Sequence, residues 1–178
     1  MRLYIAIQLS HEIKKQVKNV QEIFKREGVT GNYTPAANLH MTLAFLEEFN
    51  DHCTVLAAMK DAKLYPFTIT MNKIGRFGVL WWLGIEENDE LAALVLRLRL
   101  QLKRARIPYD RYKFRPYITF LNKARNADKD KLSSIIIQPT SMQVKRITLM
   151  QSISKNNGII YTEIGSVSAQ PQPPYIDI

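Results

Sequence analysis

Apolar side chains recur along the chain with two periods, and the switches between those periods mark its elements. Residues 2–8 (RLYIAIQ) read as a strand. Beyond Ser10 the spacing changes. Ile13, Val17, Val20 and Phe24 follow a helical repeat to about Arg26, with Ser10 as the cap and Gly28 as the stop. Gly31, Asn32, Pro35 and Asn38 make the next segment a loop, with room for one short strand near Tyr33. The stretch from Leu39 onward is extended again and is expected to end near Phe49.

The second half repeats this alternation. Val55, Leu56 and Met59 predict a short helix over 51–62, and residues 67–72 (FTITMN) alternate as a strand. Gly75-Arg76-Phe77-Gly78 reads as a turn. Val79 to Ile85 reads as a strand buried on both faces. Asn88 or Asp89 caps a helix whose apolar face is Leu91, Leu94, Val95, Leu98 and Leu102, ended by Pro108. A loop, Tyr109–Phe114, leads into a strand at Arg115–Leu121, and a short polar helix comes next over 126–134. Residues 143–151 (QVKRITLMQ) form a strand. Asn156-Asn157-Gly158 is a hairpin turn into a last strand, Ile159–Ile164.

Strands outnumber helices and several connections have hairpin length, which predicts an α+β fold with helices outside mainly antiparallel sheets. Residues 1–165 are expected to form a single domain of two pseudo-symmetric lobes facing across a cleft. Residues 166–178 (SVSAQPQPPYIDI) are expected to be a Ser/Gln/Pro-rich tail.

The lobes are suggested by two strands of one design. In Leu39-His40-Met41-Thr42-Leu43, side chains alternate faces, so His40 and Thr42 share one face while Leu39, Met41 and Leu43 share the other. In Pro116-Tyr117-Ile118-Thr119-Phe120, Tyr117 and Thr119 share a face against Pro116, Ile118 and Phe120. Histidine can give or take a proton near neutral pH, and a threonine hydroxyl beside it can donate to an anionic oxygen. An isolated His-Xaa-Thr is more often a structural histidine. The matching second strand argues for chemistry here. His11 and His52 sit in helical turns and read as surface residues, and Cys53 as a small core or helix residue.

Composition narrows the partner. The chain has 178 residues, with 25 Lys+Arg against 16 Asp+Glu and a net charge of +9. Such a balance favours polyanions: nucleic acid, nucleotides or an anionic surface. The longest apolar run, Val79–Ile85, is too short to cross a bilayer, and no signal-peptide pattern opens the chain, so the expected compartment is the cytoplasm. One cysteine rules out an intrachain disulfide, and no metal-ligand cluster stands out. We therefore expect a monomer that works without metal or cofactor. Arg76 and Phe77 in the turn, with Arg111, Tyr112 and Arg115 in the loop, mix cations with aromatics and are candidate contacts to a nucleotide or RNA.

The colinear segments RLYIAI, NLHMTLAFLEE, FGVLWWLGIEENDELAAL, FRPYITFLNKAR and ITLMQSISKNNGIIYTEI resemble the 2H phosphoesterases. Within these, the chain is most similar to the RNA 2′,3′-cyclic phosphodiesterases, also called 2′-5′ RNA ligases. The resemblance implies a two-lobed α+β fold and metal-independent hydrolysis of a 2′,3′-cyclic phosphate to a 2′-phosphate. One motif histidine would activate water and the other would protonate the leaving 3′ oxygen, while the two threonines hold phosphate oxygens. His40 and Thr42 match the first motif. At the second, Tyr117 stands where the family has histidine, Thr119 matches, and Asn122 stands where the family often has arginine. A phenol, with pKa about 10, is a poor base at neutral pH but can donate a proton. The alternative is a catalytically weak RNA- or nucleotide-binding protein on the same scaffold.

Overall fold

Two antiparallel sheets carry the motif strands. They are seen in a computed structural model that describes residues 2–46, 48–155 and 158–172. In chain order the strands are β1 (Arg2–Gln8), β2 (Thr30–Tyr33), β3 (His40–Leu46), β4 (Phe67–Phe77), β5 (Leu80–Ile85), β6 (Tyr117–Arg125), β7 (Thr140–Val144), β8 (Arg146–Lys155) and β9 (Gly158–Ser168). The helices are α1 (His11–Arg26), α2 (His52–Asp61), α3 (Asp89–Arg104) and α4 (Lys129–Ser133), with one 3-10 turn at Ala36–Asn38. One sheet has the order β3-β1-β8-β9 and the other β2-β6-β5-β4-β7.

The order exposes an internal correspondence. In the first sheet the strand that precedes α1, β1, lies beside the motif strand β3. In the second the strand that precedes α3, β5, lies beside the motif strand β6. Strand, helix, motif strand is thus used twice, and β2 is an extra edge on the second copy.

Local sequence explains the helices. The Ser10 hydroxyl accepts the Ile13 N–H at 3.2 Å, and the Asn88 side chain accepts the Leu91 N–H at 2.8 Å, so both long helices start at side-chain caps. Gly28 takes φ +77°, which ends α1 where glycine is tolerated. The apolar stripe of α1 packs on the second sheet, where Phe24 meets Trp81 and Phe120 edge-on at 5.0 and 5.1 Å. Gln21, also buried, donates to the carbonyls of Thr34 (2.8 Å) and Phe120 (3.0 Å), which ties α1 to the far side of β6. One core runs beneath both sheets, from Leu3, Ile5 and Met41 to Trp81, Ile118 and Phe120.

Several boundaries differ from expectation. The His40 strand runs to Leu46 rather than to near Phe49, and at that end Leu46 also bridges to Tyr109. Gly75, Arg76 and Phe77 are the end of β4, not a turn; the turn falls at Gly78, which has φ +59°. The strand β5 is not buried on both faces, since Trp82 stays half-buried on the side away from the core. Residues 143–151 are two strands: β7 ends in the second sheet at Val144 and β8 starts in the first at Arg146. The last strand continues to Ser168, beyond the point where a tail was expected. The next two residues are also tied down, by backbone bonds from Ala169 to Lys145 (2.7 Å) and from Gln170 to Leu64 (2.8 Å). The expected turn residues Asn156 and Asn157, and the tail from residue 173, lie outside the described residues. Among the described residues no helix is long and apolar enough to cross a membrane.

Candidate active site

The motif strands β3 and β6 belong to different sheets yet lie against each other. The loop before β6 is latched to β3 by reciprocal bonds: the Phe45 N–H donates to the Asp110 carboxylate (2.8 Å) and the Asp110 N–H donates to the Phe45 carbonyl (3.0 Å). His40, Thr42, Tyr117 and Thr119 are all half-buried, whereas Met41, Leu43, Ile118 and Phe120 between and after them are fully buried. The alternation expected from sequence is therefore realised on both strands.

Each motif strand also carries an irregularity at the same place. Against β1, Ile5 pairs with Ala44 and Ala6 with Thr42, so β3 has one extra residue, Leu43. Against β5, Trp81 pairs with Leu121 and Trp82 with Thr119, so β6 has one extra residue, Phe120. A bulge of this kind bends the strand and re-aims its side chains. Both bulges directly follow the motif threonine. The first explains why Phe45, out of phase with His40 and Thr42, still emerges on their side and packs 6.2 Å from Tyr4.

His40 is fixed by three contacts. Its Nδ1 lies 2.7 Å from the Asn38 carbonyl oxygen. A carbonyl can only accept, so Nδ1 carries the hydrogen and Nε2 is left as the basic nitrogen. The ring stacks on Tyr4 with centroids 4.8 Å apart and planes 28° apart, and Tyr161 approaches at 5.6 Å. Burial pushes the imidazole pKa below its ordinary value; the Asn38 bond opposes this and the Lys14 charge adds to it. At neutral pH His40 is thus an uncharged, oriented imidazole.

Around it, the His40 side of the first sheet is built by β1, β8 and β9. Tyr4, Ala6 and Met150 form a small buried cluster separate from the main core, with Tyr161 against it. Gln8, cross-strand from His40, donates weakly to the Thr148 hydroxyl (3.5 Å) and to the Met150 sulfur (3.3 Å). Thr148, fully buried, donates to the Ala6 carbonyl at 3.2 Å.

The face of the second sheet is aromatic. Tyr117 meets Phe77 edge-on at 5.4 Å and Trp82 at 6.0 Å, and Phe77 and Trp82 are 5.2 Å apart. The Arg115 guanidinium lies 5.7 Å from the Phe77 ring centroid. Trp82 lies over glycines: a Cβ on Gly75 would come within 2.2 Å of its ring, and one on Gly84 within 2.7 Å of Lys73 and 3.0 Å of Trp82. These two glycines are where the platform needs a missing side chain. Gly75→Ala should displace the Trp82 ring and destabilise the fold by about 1–3 kcal/mol, as overpacking does. The check is a lowered Tm with a changed tryptophan emission maximum; an unchanged spectrum would show that the ring is not seated as described.

The sequence-derived contact candidates divide. Phe77 and Arg115 are gathered round Tyr117. Arg76 is on the other face of β4, opposite the buried Trp81, with its guanidinium on the Gly78 carbonyl at 3.4 Å. Arg111 and Tyr112 are exposed in the loop, where the Tyr112 carbonyl accepts from Arg99 at 2.8 Å. Tyr4, Tyr161, Gln8 and Trp82 lie beside the motif residues and were not singled out from sequence. Tyr4 and Gln8 do share a period-2 face of RLYIAIQ, and that was the available signal. Among the described residues no group of three or more His, Cys, Asp or Glu could hold a metal ion, and neither motif threonine hydroxyl has a protein hydrogen-bond partner.

Comparison with known proteins converges on one group. The model of the 2′-5′ RNA ligase superfamily matches residues 9–156. The chain belongs to this superfamily. It is 30% identical over 172 residues to the RNA 2′,3′-cyclic phosphodiesterase of Thermotoga maritima, covering 90% of this chain and 91% of that protein. It is 26% identical to the protein of the same name from Methanocaldococcus jannaschii, covering 92% and 98%. Among solved structures, Escherichia coli LigT in its apo form superposes with a TM-score of 0.76 at 29% identity, over 95% of this chain and 98% of LigT. LigT complexed with 3′-AMP gives 0.74 at 28% identity, over 94% and 96%. The α+β fold with antiparallel sheets is thus shared with the LigT structures.

Proposed function

We propose that this protein hydrolyses the 2′,3′-cyclic phosphate at RNA ends or of a cyclic nucleotide to a 2′-phosphate, with no metal or cofactor. The observation that carries this reading is the tautomer of His40: Nδ1 tied to the Asn38 carbonyl and Nε2 left basic, on a strand packed against the one bearing Tyr117 and Thr119. Membership of the superfamily and the names of the relatives support the substrate class. The basic chain, at +9, favours a polyanionic substrate. The protein would act as a cytoplasmic monomer.

The roles derive from acid–base character. A neutral imidazole with a depressed pKa is a base, so His40 takes a proton from the attacking water. The phosphate is held by the hydroxyls of Thr42 and Thr119. Attack in line with the P–O3′ bond puts the leaving oxygen on the opposite side of phosphorus, out of reach of the same imidazole. Tyr117 supplies that proton: a phenol is a poor base but a competent donor to a departing alkoxide. Phe77, Arg115 and Trp82 flank the phenol and offer stacking and positive charge to the nucleoside. Arg111 and Tyr112 would meet a longer chain further out.

The test is turnover of a 2′,3′-cyclic nucleotide in the presence of EDTA, with the product identified by phosphorus NMR. A 2′-phosphate is expected. Because His40 must be neutral, the acid limb of kcat/KM should fall through a midpoint below the ordinary histidine value of about 6.5. No turnover under any metal condition, with nucleotide still bound, would replace this reading with that of a nucleotide-binding protein.

A further inference from the structure

We infer that Tyr4 and Tyr161 are positioning residues for His40, a two-sided clamp in which Tyr4 stacks on one face of the imidazole and Tyr161 closes an adjacent side, the three ring centroids forming a triangle, so that a single nitrogen is presented as the base. This rests on the proposed role of His40 and extends it to the two residues that hold it. Tyr4 is 2% exposed and lies on β1, Tyr161 lies on β9, and the two rings meet edge-on at 5.9 Å with an interplanar angle of 86°. Both touch His40, Tyr4 at 4.8 Å and 28°, Tyr161 at 5.6 Å and 59°. The three rings come from three strands of one sheet, in the order β3-β1-β8-β9, and Tyr161 reaches in from the edge strand.

The arrangement needs space along β1. Tyr4 is cross-strand from Phe45, not from His40, and Ala6 lies between Tyr4 and Gln8. A methyl at that position lets the Tyr4 ring lean along the strand to His40.

What Tyr4 contributes is its ring. Its hydroxyl is buried without a hydrogen-bond partner among the described residues, so no hydrogen bond explains why a tyrosine is there. A stacked ring does two things to an imidazole. It blocks the half-turn about χ2 that would exchange Nδ1 with the carbon edge and break the bond to Asn38. It also excludes water from one face, which disfavours the cation. The titratable and charged groups around His40 are Tyr4 from β1, Tyr161 from β9 and Lys14 from α1; Met150, Gln8 and Thr42 nearby are neutral. Tyr4 and Tyr161 are themselves pushed up by burial, so at neutral pH both are uncharged and act by shape and desolvation.

The test reads His40 directly. Its imidazole signals, identified as those missing in His40→Ala, are titrated by proton and nitrogen NMR in the wild type, Tyr4→Phe, Tyr4→Leu and Tyr161→Leu. Tyr4→Phe keeps the ring and should leave the midpoint and the Nδ1-protonated tautomer as they are. Tyr4→Leu should move the midpoint up toward about 6.5 and mix the tautomers, with a smaller rise in Tyr161→Leu. If Tyr4→Leu does not fold, Tyr161→Leu carries the test. A His40 midpoint and tautomer unmoved in the leucine variants that fold would overturn the clamp. The readout needs no turnover. Should the protein prove inactive on cyclic phosphates while the titration moves as expected, the proposed reaction fails and the clamp stands.

Discussion

His40→Ala is expected to lower kcat/KM for cyclic-phosphate opening by about 10²–10⁴, the usual worth of a general base. The protein should remain folded, because His40 is only half-buried and its single hydrogen bond goes to the carbonyl of Asn38, at the end of the 3-10 turn. Binding should be less affected than turnover. The phosphate would still meet Thr42 and Thr119, and the nucleoside would still meet the Phe77–Trp82–Tyr117 face. Steady-state kinetics with a cyclic nucleotide separates the two: kcat drops and KM changes little. A His40→Ala protein that turns over at the wild-type rate would remove the imidazole from the reaction. His40→Gln should be no better, since an amide cannot take the proton.

How legible this was in the sequence depends on the range of the interaction involved. Caps and stops are local: Ser10 and Gly28 announced the ends of α1, and of the two cap candidates Asn88 and Asp89 the structure uses Asn88. The faces of β3 and β6 come from period 2, so the placing of His40 with Thr42 and of Tyr117 with Thr119 was readable. What was not readable is pairing. At Lys145 the chain leaves the second sheet and enters the first, and the core positions change phase there, from Met142 and Val144 to Ile147 and Leu149. A bulge within one strand gives the same change of phase, so the pattern alone does not tell a change of sheet from a single strand. Gly75 and Gly78 show the same limit. Both suggested a turn, but only Gly78 has a positive φ; Gly75 is there because the Trp82 ring, from the next strand, needs the space.

The site divides on the same line. The proton-transfer and phosphate-binding candidates lie on the motif strands and could be found from the motif alone. The aromatic side chains packed against them come from elsewhere: Tyr4 from β1, Tyr161 from β9 and Trp82 from β5. Tyr4 and Tyr161 are 157 positions apart in the chain and meet only because β8 joins β1 to β9. Arg76 lies apart from the Phe77–Tyr117 cluster for a simpler reason. Once its segment is a strand rather than a turn, it alternates with Phe77 and faces away.

Tyr117→Phe is expected to reduce kcat by about 10² or more, within the range for loss of a general acid, while leaving KM and the fold nearly unchanged. The ring contacts to Phe77 and Trp82 need only the aromatic body, so phenylalanine preserves them. The loss comes from the hydroxyl alone. In-line opening of the cyclic phosphate releases an alkoxide, a very poor leaving group unless it is protonated as the bond breaks. On an ester whose leaving group is already a stable anion, such as nitrophenolate, the same substitution should cost far less. That contrast separates a proton donor from a group that merely positions the phosphate, which would weaken both substrates alike. Tyr117→His introduces the residue that the resemblance to the 2H phosphoesterases leads us to expect at this position and should sustain turnover, with the pH profile now shaped by two imidazoles. If Tyr117→Phe is as fast as the wild type, the phenol is not the acid. If the wild type is inert and only Tyr117→His is active, the tyrosine marks a scaffold turned from hydrolysis to binding.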